Sequence, residues 1–277
     1  PYLNPVIPTG LMRWNYDIAL RTLLWWDGSL PENVELKDAF LPELGYVKLM
    51  SQTTNGVPVV LAFKAGHNAE NHNHNDVGSF ILHVDGETFL CDPGRGLYDS
   101  TYFTARRYEN LFASSAGHSL PVVGGHTQSP GLERRGTIDV YDADGDPKRV
   151  VADVTAAYDV PGLINIRRSL MLADQGPESG TVWLEDQLVF ADDGRETVAA
   201  LMTWLDVHIS EGGAVLSGDK HALVLTVEEP AGATFEVQDF AEICQANEKQ
   251  GVLKRLTLTL PPAPDMRARV RMEVKTK

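Results

Sequence analysis

The sequence is poor in cysteine, in basic charge and in long apolar runs. Its 277 residues include only Cys91 and Cys244, too few for a disulfide framework, and spacing alone does not establish whether they pair. No apolar run approaches the roughly 18 residues that a membrane-spanning helix needs. Lys and Arg number 24 against 38 Asp and Glu, and the net charge of −14 argues against a nucleic-acid or anionic-membrane surface. An acidic polymer would need a local basic cleft.

The first 43 residues differ in pattern from the rest. Apolar residues at helical spacing predict one helix over Asn15–Trp26, which Gly28 would end, and Pro31–Pro42 has the composition of a linker. We therefore expect residues 1–43 to form a helical segment and linker. Because Pro1 is neither an initiator Met nor the start of a signal peptide, we expect the chain to be an excised or processed fragment.

From Gly45 onward, short β-rich runs are separated by Gly, Asn, Asp and Pro. This recurrence predicts that residues 44–277 form an all-β domain, a large antiparallel β-sandwich. The predicted strands are Tyr46–Met50, Val59–Lys64, Ser79–Val84, Thr88–Cys91, Leu120–Val123, Thr137–Tyr141, Val150–Val154, Ile166–Leu172, Thr181–Phe190, Thr197–Leu205, Ala222–Val227, Thr234–Val237, Leu253–Leu260 and Arg267–Val274.

Imidazoles and short polar side chains concentrate just before the strand Ser79–Val84. Two histidines at i and i+2 on an extended segment, His72 and His74, would project to one face and could share a metal or divide roles as ligand and acid/base. A type I′ hairpin turn is predicted at Asp85-Gly86, and it would return Asp92 to the neighbourhood of His74. His118 would complete a His/Asp/His set that suits zinc, with other divalent ions as alternatives. The competing interpretation is a solvated polar loop.

A second polar segment lies between Asp92 and His118. Arg106 and Arg107 stand close in sequence to Tyr98, Tyr102 and Tyr108, and guanidinium groups there would suit carboxylates or sulfates in a shared cleft. A solvated loop is equally compatible with this pattern.

Two other candidate sites are less favoured. Residues 142–146 resemble the start of a calcium loop, but Pro147 stands where an EF-hand has Gly, so a hairpin turn is preferred. Trp183 and Trp204 lie within apolar strand patterns, which favours core positions over sugar-stacking platforms.

Several short motifs of this region occur together: Asn71-His72-Asn73-His74-Asn75-Asp76-Val77-Gly78-Ser79-Phe80, Asp85-Gly86, Asp92-Pro93-Gly94, Tyr98 and Ser115-Ala116-Gly117-His118-Ser119. Together they resemble the C-terminal β-sheet domain of heparinase II/III-like polysaccharide lyases. The resemblance is specific over roughly Gly45–Gln128 and only general in the later strands. It implies a β-sandwich joined to an N-terminal (α/α) toroid, of which the Asn15–Trp26 helix would be the last element.

The resemblance also implies residue roles. His72 would be the histidine of the catalytic cleft, whereas His74, Asp92 and His118 would bind a divalent metal that holds the cleft in shape. Zinc is the preferred ion, with calcium or manganese as alternatives. The family commonly has Asn where this chain has Gly117. Further candidates are Tyr98 and Tyr102 as catalytic partners, and Asn71, Arg106 and Arg107 for substrate binding.

The implied reaction is β-elimination on an acidic polysaccharide that contains uronic acid. A base removes the proton beside the carboxylate, a neutralising group lowers the pKa of that proton, and an acid protonates the departing oxygen. Because the main family tyrosine belongs to the toroid, we expect this chain alone to be poorly active or inactive. The glycan, whether heparin, heparan sulfate, alginate or another, is left open. The resemblance also suggests the bacterial periplasm or cell envelope, and leaves open a cytoplasmic location and a homodimer.

Two rival interpretations come from other classes. A metal-dependent cupin is suggested by Gly66 followed by His72 and His74, but a cupin would want Glu where this chain has Gly78 and Ser79. The other is a non-catalytic carbohydrate-binding or structural β-sandwich whose metal only holds loops together.

Overall fold

The computed structural model of the protein describes residues 16–28 and 37–277. Contacts divide the chain into two units, residues 1–37 and residues 38–277. The first unit contains helix α1, Tyr16–Trp25, which lies within the predicted Asn15–Trp26 helix. None of the helices among the described residues is both long and apolar enough to cross a membrane.

The second unit consists almost entirely of strands, which we number in chain order. The one α-helix described in this unit, α2, covers Ala241–Ala246 and was not predicted. The strands are β1 Ala39–Leu41, β2 Tyr46–Gln52, β3 Pro58–Lys64, β4 Gly66–Asn68, β5 Phe80–Val84, β6 Glu87–Leu90, β7 Val122–Val123, β8 Gly131–Asp142, β9 Lys148–Asp153, β10 Leu163–Leu172, β11 Val182–Phe190, β12 Thr197–Thr203, β13 Asp206–Ser210, β14 Gly213–Ser217, β15 His221–Glu229, β16 Glu236–Asp239, β17 Lys254–Leu260 and β18 Asp265–Thr276.

These strands form three antiparallel sheets. The first has five strands in the order β1-β2-β3-β5-β6, and the second has nine in the order β13-β14-β15-β18-β11-β10-β9-β8-β4. The third has four strands in the order β16-β17-β12-β7. All of the paired strands described are antiparallel, so the predicted all-β antiparallel fold is confirmed.

The core lies between the inward faces of the sheets. Along β3, Val59, Leu61 and Phe63 are buried and alternate with partly exposed residues, as expected for strands with one face on a core. One continuous apolar cluster joins Leu61 of the first sheet, Leu170 of the second and Leu258 of the third. Burial of this apolar surface is the main source of stability for the domain.

Every predicted strand overlaps an observed one. Strands β1, β4, β13 and β14 were not predicted, and β1 lies within the range Pro31–Pro42 that resembled a linker. The predicted hairpin is also present: β5 and β6 pair with Val84 opposite Glu87, and the two turn residues both have positive φ, 45° at Asp85 and 89° at Gly86. Those are the signs that a type I′ turn requires.

Candidate metal centre and catalytic cleft

Three segments of the chain bring the predicted metal ligands together. His74 lies in the loop between β4 and β5, Asp92 follows β6, and His118 precedes β7. Their ligand atoms all lie within 4.8 Å of one another, and they are the one such group found among the residues that the structure describes. The β5–β6 hairpin returns Asp92 towards His74, as the sequence predicted.

Two of the three separations match those of a tetrahedral metal ion, and the third lies within 4.8 Å. His74 Nδ1 is 3.3 Å from His118 Nε2, and His118 Nε2 is 3.4 Å from Asp92 Oδ2. Zinc binds nitrogen and oxygen at about 2.0–2.1 Å, so two ligands of a tetrahedral site stand about 3.3–3.4 Å apart. Two imidazoles and one carboxylate can therefore hold such an ion and leave a fourth position free.

Each ligand is oriented by a further contact. His118 is fully buried, and its Nδ1 lies 2.9 Å from the carbonyl oxygen of Ser114, which directs Nε2 towards the centre. Asp92 Oδ1 accepts a hydrogen bond of 2.7 Å from the backbone N–H of Gly94. The Nε2 atom of His74 lies 3.4 Å from the hydroxyl of Tyr102. Such contacts around metal ligands fix tautomers and ring orientations.

The three candidate ligands have shifted pKa values, each for a different reason. Burial, and to a smaller extent the nearby His118, lower the pKa of His74 to about 4. Burial alone would raise the pKa of Asp92, but a hydrogen bond from His118 and the charge of that ring outweigh it, so the pKa is lowered. Burial opposes charge on His118, yet the bond to Asp92 raises the pKa of this imidazole. In the metal-free protein, His74 is therefore neutral at pH 7, and a metal would have to compete with protons for His118 more than for an ordinary histidine.

Gly117 is required by the packing beside His118. A β-carbon at this position would lie 2.1 Å from the carbonyl oxygen of Leu111, so no larger residue fits the backbone as it stands. The departure from the family pattern at Gly117 thus coincides with a close backbone approach, and His118 still reaches the centre.

His72 does not lie on an extended segment, and the expectation of one shared face with His74 was wrong. Its φ of 58° places it in the left-handed region, within a turn. Histidine adopts this region more readily than most residues, although at a cost relative to glycine. The turn exposes His72, whereas His74 is partly buried.

An aromatic cluster surrounds His72. Its Nδ1 lies 3.4 Å from the hydroxyl of Tyr98, and its ring contacts Phe103 edge-on at 5.5 Å between centroids. Tyr98 is 41% exposed and Phe103 61%, while Tyr102 is 1% exposed and faces His74. The two predicted tyrosines contact each other, with ring centroids 4.5 Å apart, but Tyr98 lies at the surface whereas Tyr102 is buried beside His74. Sequence reasoning missed Phe103.

A polar depression of about 340 Å³ lies beside His72. Asn71 and Arg107 line it together with His72, so these predicted residues share one cleft. The guanidinium of Arg107 lies 5.1 Å above the ring of Tyr102, and its Nε and Nη2 atoms are buried with no acceptor among the described residues. Arg106 does not line the depression and instead pairs with Glu109 in the solvent, with an Nη2–Oε2 distance of 2.8 Å.

Gln128 organises the loop that carries His74, and no sequence motif marks this role. Its Oε1 accepts hydrogen bonds of 3.1 Å from the side chain of Asn68 and from the backbone N–H of Val77. Its carbonyl oxygen accepts a bond from Asn75, and its N–H donates to Ser115 Oγ. Most of these partners lie about fifty residues away along the chain, so no local pattern could predict the contacts.

The less favoured candidates are structural. Asp142 Oδ1 accepts hydrogen bonds from the backbone of Asp144 and Gly145, which form the turn between β8 and β9, as the hairpin interpretation predicted. Trp183 is buried on β11. Cys91 and Cys244 are buried free thiols.

Comparisons with known proteins place this architecture in a family. Residues 34–267 match the family described as Heparinase II/III-like, C-terminal. The chain belongs to this family. No curated protein sequence matches it significantly.

Solved structures with the same fold are named as heparinases or lyases. The heparinase II/III-like domain aligns with the heparan sulfate lyase HepC from Pedobacter heparinus at 12% identity and a TM-score of 0.71, covering 95% of this chain and 41% of that one. A structure named heparinase III gives 15% identity, a TM-score of 0.67, and coverage of 95% and 42%. The heparinase III from the BT4657 gene gives 13% identity and a TM-score of 0.69, and the alignment covers 95% of this chain and 40% of that one. The chain thus spans about two fifths of the solved proteins it matches.

Proposed function

We propose that this heparinase II/III-like domain forms one side of the active site of a polysaccharide lyase that cleaves uronic-acid-containing glycans by β-elimination. The observation that carries the proposal is the contact between His72 and Tyr98 beside a depression that His72 and Arg107 line. Tyr102, which contacts both Tyr98 and His74, links this cluster to the His/Asp/His centre. The names of the similar structures, heparinase III and heparan sulfate lyase, support the same substrate class.

His72 and Tyr98 are assigned to proton transfer. With 3.4 Å between Nδ1 and the hydroxyl, they can exchange a proton, so one group can remove the proton beside the uronate carboxylate while the other protonates the departing oxygen. The C–H and C–O bonds break, a carbon–carbon double bond forms, and no water is consumed. Tyr102 is assigned to orienting His74, which its hydroxyl faces.

Arg107 and Asn71 are assigned to the carboxylate or sulfate of the substrate. Arg107 is held between the rings of Tyr102 and Tyr108, at 5.1 and 5.7 Å, which fixes a cation beside the depression. A cation there would neutralise the uronate and thereby lower the pKa of the adjacent C–H. Arg106 could bind the substrate only after its ion pair with Glu109 breaks.

The centre of His74, Asp92 and His118 is proposed to bind zinc. Two imidazole nitrogens and one carboxylate match zinc better than calcium, which prefers six to eight oxygen ligands. When bound, the ion would supply charge that holds the three segments in place. The protein residues would then keep His72 and Tyr98 at a constant distance from this centre.

The test is a glycan screen with a full-length protein that carries this chain. Heparin, heparan sulfate and alginate are supplied separately, and the absorbance of unsaturated uronate is followed. We expect one class to be cleaved and His72→Asn to lose at least about 100-fold in rate, since general acid–base groups contribute about 10²–10⁴-fold. His208→Asn, an exposed histidine on β13, is the matched control and should retain activity.

Two outcomes would decide between the hypotheses. Cleavage by the wild type with full activity in His72→Asn would remove His72 from the mechanism. Glycan binding without any unsaturated product would favour the non-catalytic binding domain.

Because the chain spans about two fifths of its relatives, we expect residues 1–277 alone to be poorly active or inactive. Periplasmic or envelope location and homodimerisation stay predictions.

A further inference from the structure

A fully buried ion pair contacts two of the segments that carry the proposed metal ligands. Arg168 on β10 and Asp186 on β11 stand opposite each other in the strand register, and both are 1% exposed. Arg168 Nε lies 2.7 Å from Asp186 Oδ1, and Nη2 lies 2.7 Å from Oδ2, which is a bidentate arrangement. Each of the three guanidinium nitrogens has a hydrogen-bond partner.

The third nitrogen of this guanidinium connects two ligand-bearing segments. Arg168 Nη1 donates to the carbonyl oxygen of Gly78 at 2.8 Å and to that of Ser119 at 2.5 Å. Gly78 closes the loop that carries His74, and Ser119 follows His118 directly. One donor group therefore fixes how far apart these two segments lie.

The same network extends to the third ligand. Ser119 Oγ accepts a hydrogen bond of 3.0 Å from the backbone N–H of Met202. The carbonyl oxygen of Met202 accepts one of 3.0 Å from the N–H of Cys91, the residue before Asp92. Hydrogen bonds thus run from Arg168 to all three segments that supply His74, Asp92 and His118.

Stability alone does not account for a buried guanidinium at this position. Taking a cation and a carboxylate out of water costs free energy, and well-packed apolar residues in their place are often as stable or more so. Arg168 lies between Ile166 and Leu170 on the inward face of β10, where an apolar residue would continue the pattern. What an apolar residue could not do is donate to the carbonyl groups of Gly78 and Ser119.

We propose that Arg168, held in place by Asp186, is a positioning residue that sets the separation of the three metal ligands and thereby the affinity of the centre. This inference rests on the proposed metal centre. It goes beyond the metal centre itself, because Arg168 and Asp186 would control the affinity for zinc without touching the ion.

The experiment compares zinc affinity among charge-conserving variants of the full chain. Arg168→Lys keeps the positive charge but cannot bind both Asp186 oxygens and two carbonyl oxygens at once. Asp186→Glu keeps the pair but displaces the guanidinium. The control, Lys148→Met, removes another buried cation, which pairs with Asp38 at 2.8 Å and belongs to none of the ligand-bearing segments.

Zinc dissociation constants are measured by competition with a chromophoric chelator, and the cobalt-substituted proteins are compared by their visible absorption spectra. We expect Arg168→Lys and Asp186→Glu to raise the dissociation constant by about 10- to 100-fold, as loss of contacts around metal ligands typically does. Their cobalt spectra should also change. Lys148→Met should unfold more easily in urea but keep the wild-type affinity and spectrum.

The inference would be overturned if a folded Arg168→Lys or Asp186→Glu protein kept the wild-type zinc affinity and cobalt spectrum. That result would not contradict the proposed metal centre. If Arg168→Lys fails to fold, Asp186→Glu alone decides, because it retains a paired buried cation. Equal loss of affinity in Lys148→Met would also overturn the inference, since it would show a general effect of destabilisation. A wild-type protein that binds no zinc would instead refute the proposed centre itself.

Discussion

The metal-free protein should lose stability in mild acid because of His74. Its pKa is about 4 in the folded protein against 6.5 for an ordinary histidine, mainly because burial penalises the charged ring. Between these values the unfolded chain takes up a proton that the folded protein does not, so stability falls as the pH falls through this window. A pKa difference of about 2.5 lowers the free energy of unfolding by about 3 kcal/mol at a pH below both values. At pH 5 the loss is about 2 kcal/mol.

The assay is urea unfolding followed by tryptophan fluorescence, with chelator present, at pH 7.5 and pH 5. Wild type and His74→Gln are compared, because glutamine has similar reach and does not titrate. We expect the free energy of unfolding of the wild type to fall by about 2 kcal/mol more than that of the variant between the two pH values. Titrating groups that do not interact with His74 cancel in this difference. Equal losses in the two proteins would show that His74 is not buried as a neutral ring.

Three further predictions concern the same region. Asp92→Asn removes a charged ligand and should weaken zinc binding by at least about 10-fold in a chelator competition, whereas an unchanged constant would exclude Asp92 as a ligand. Zinc binding should release protons in weakly buffered solution, since Asp92 raises the pKa of His118 and the metal displaces that proton; affinity should then rise with pH until His118 is neutral. Gly117→Ala should cost about 1–3 kcal/mol in urea unfolding, because its β-carbon would collide with Leu111, and a neutral effect would contradict the tight packing.

The fold was largely predictable because its strands carry local patterns. Period-two alternation and a positive-φ turn at Asp85-Gly86 are properties of short segments, and both appear in the structure. The missed strands lack these signals. Along β13, residues Asp206–Ser210 are almost all exposed, so no alternation marks the strand, and β4 has only three residues.

The site was predictable in part, for a related reason. A hairpin is a local feature, and it correctly brought Asp92 to His74, whereas the left-handed conformation of His72 has no such marker. The partners of Gln128 are set by tertiary packing alone. Arg168 is different, because a charged residue at an inward strand position, flanked by Ile166 and Leu170, is itself a sequence signal of a buried ion pair.

The position of His72 on a turn has a consequence for how substrate preference can diverge. His72 and Asn71 belong to an exposed turn, and Phe103 and Arg107 lie in or next to a short 3-10 segment, so none of them pairs in a sheet. Loops of this kind tolerate substitution and insertion better than the strands that support them. On the proposed function, related domains would exchange one acidic glycan for another by altering this rim, while the proposed metal ligands and the core behind them stay the same.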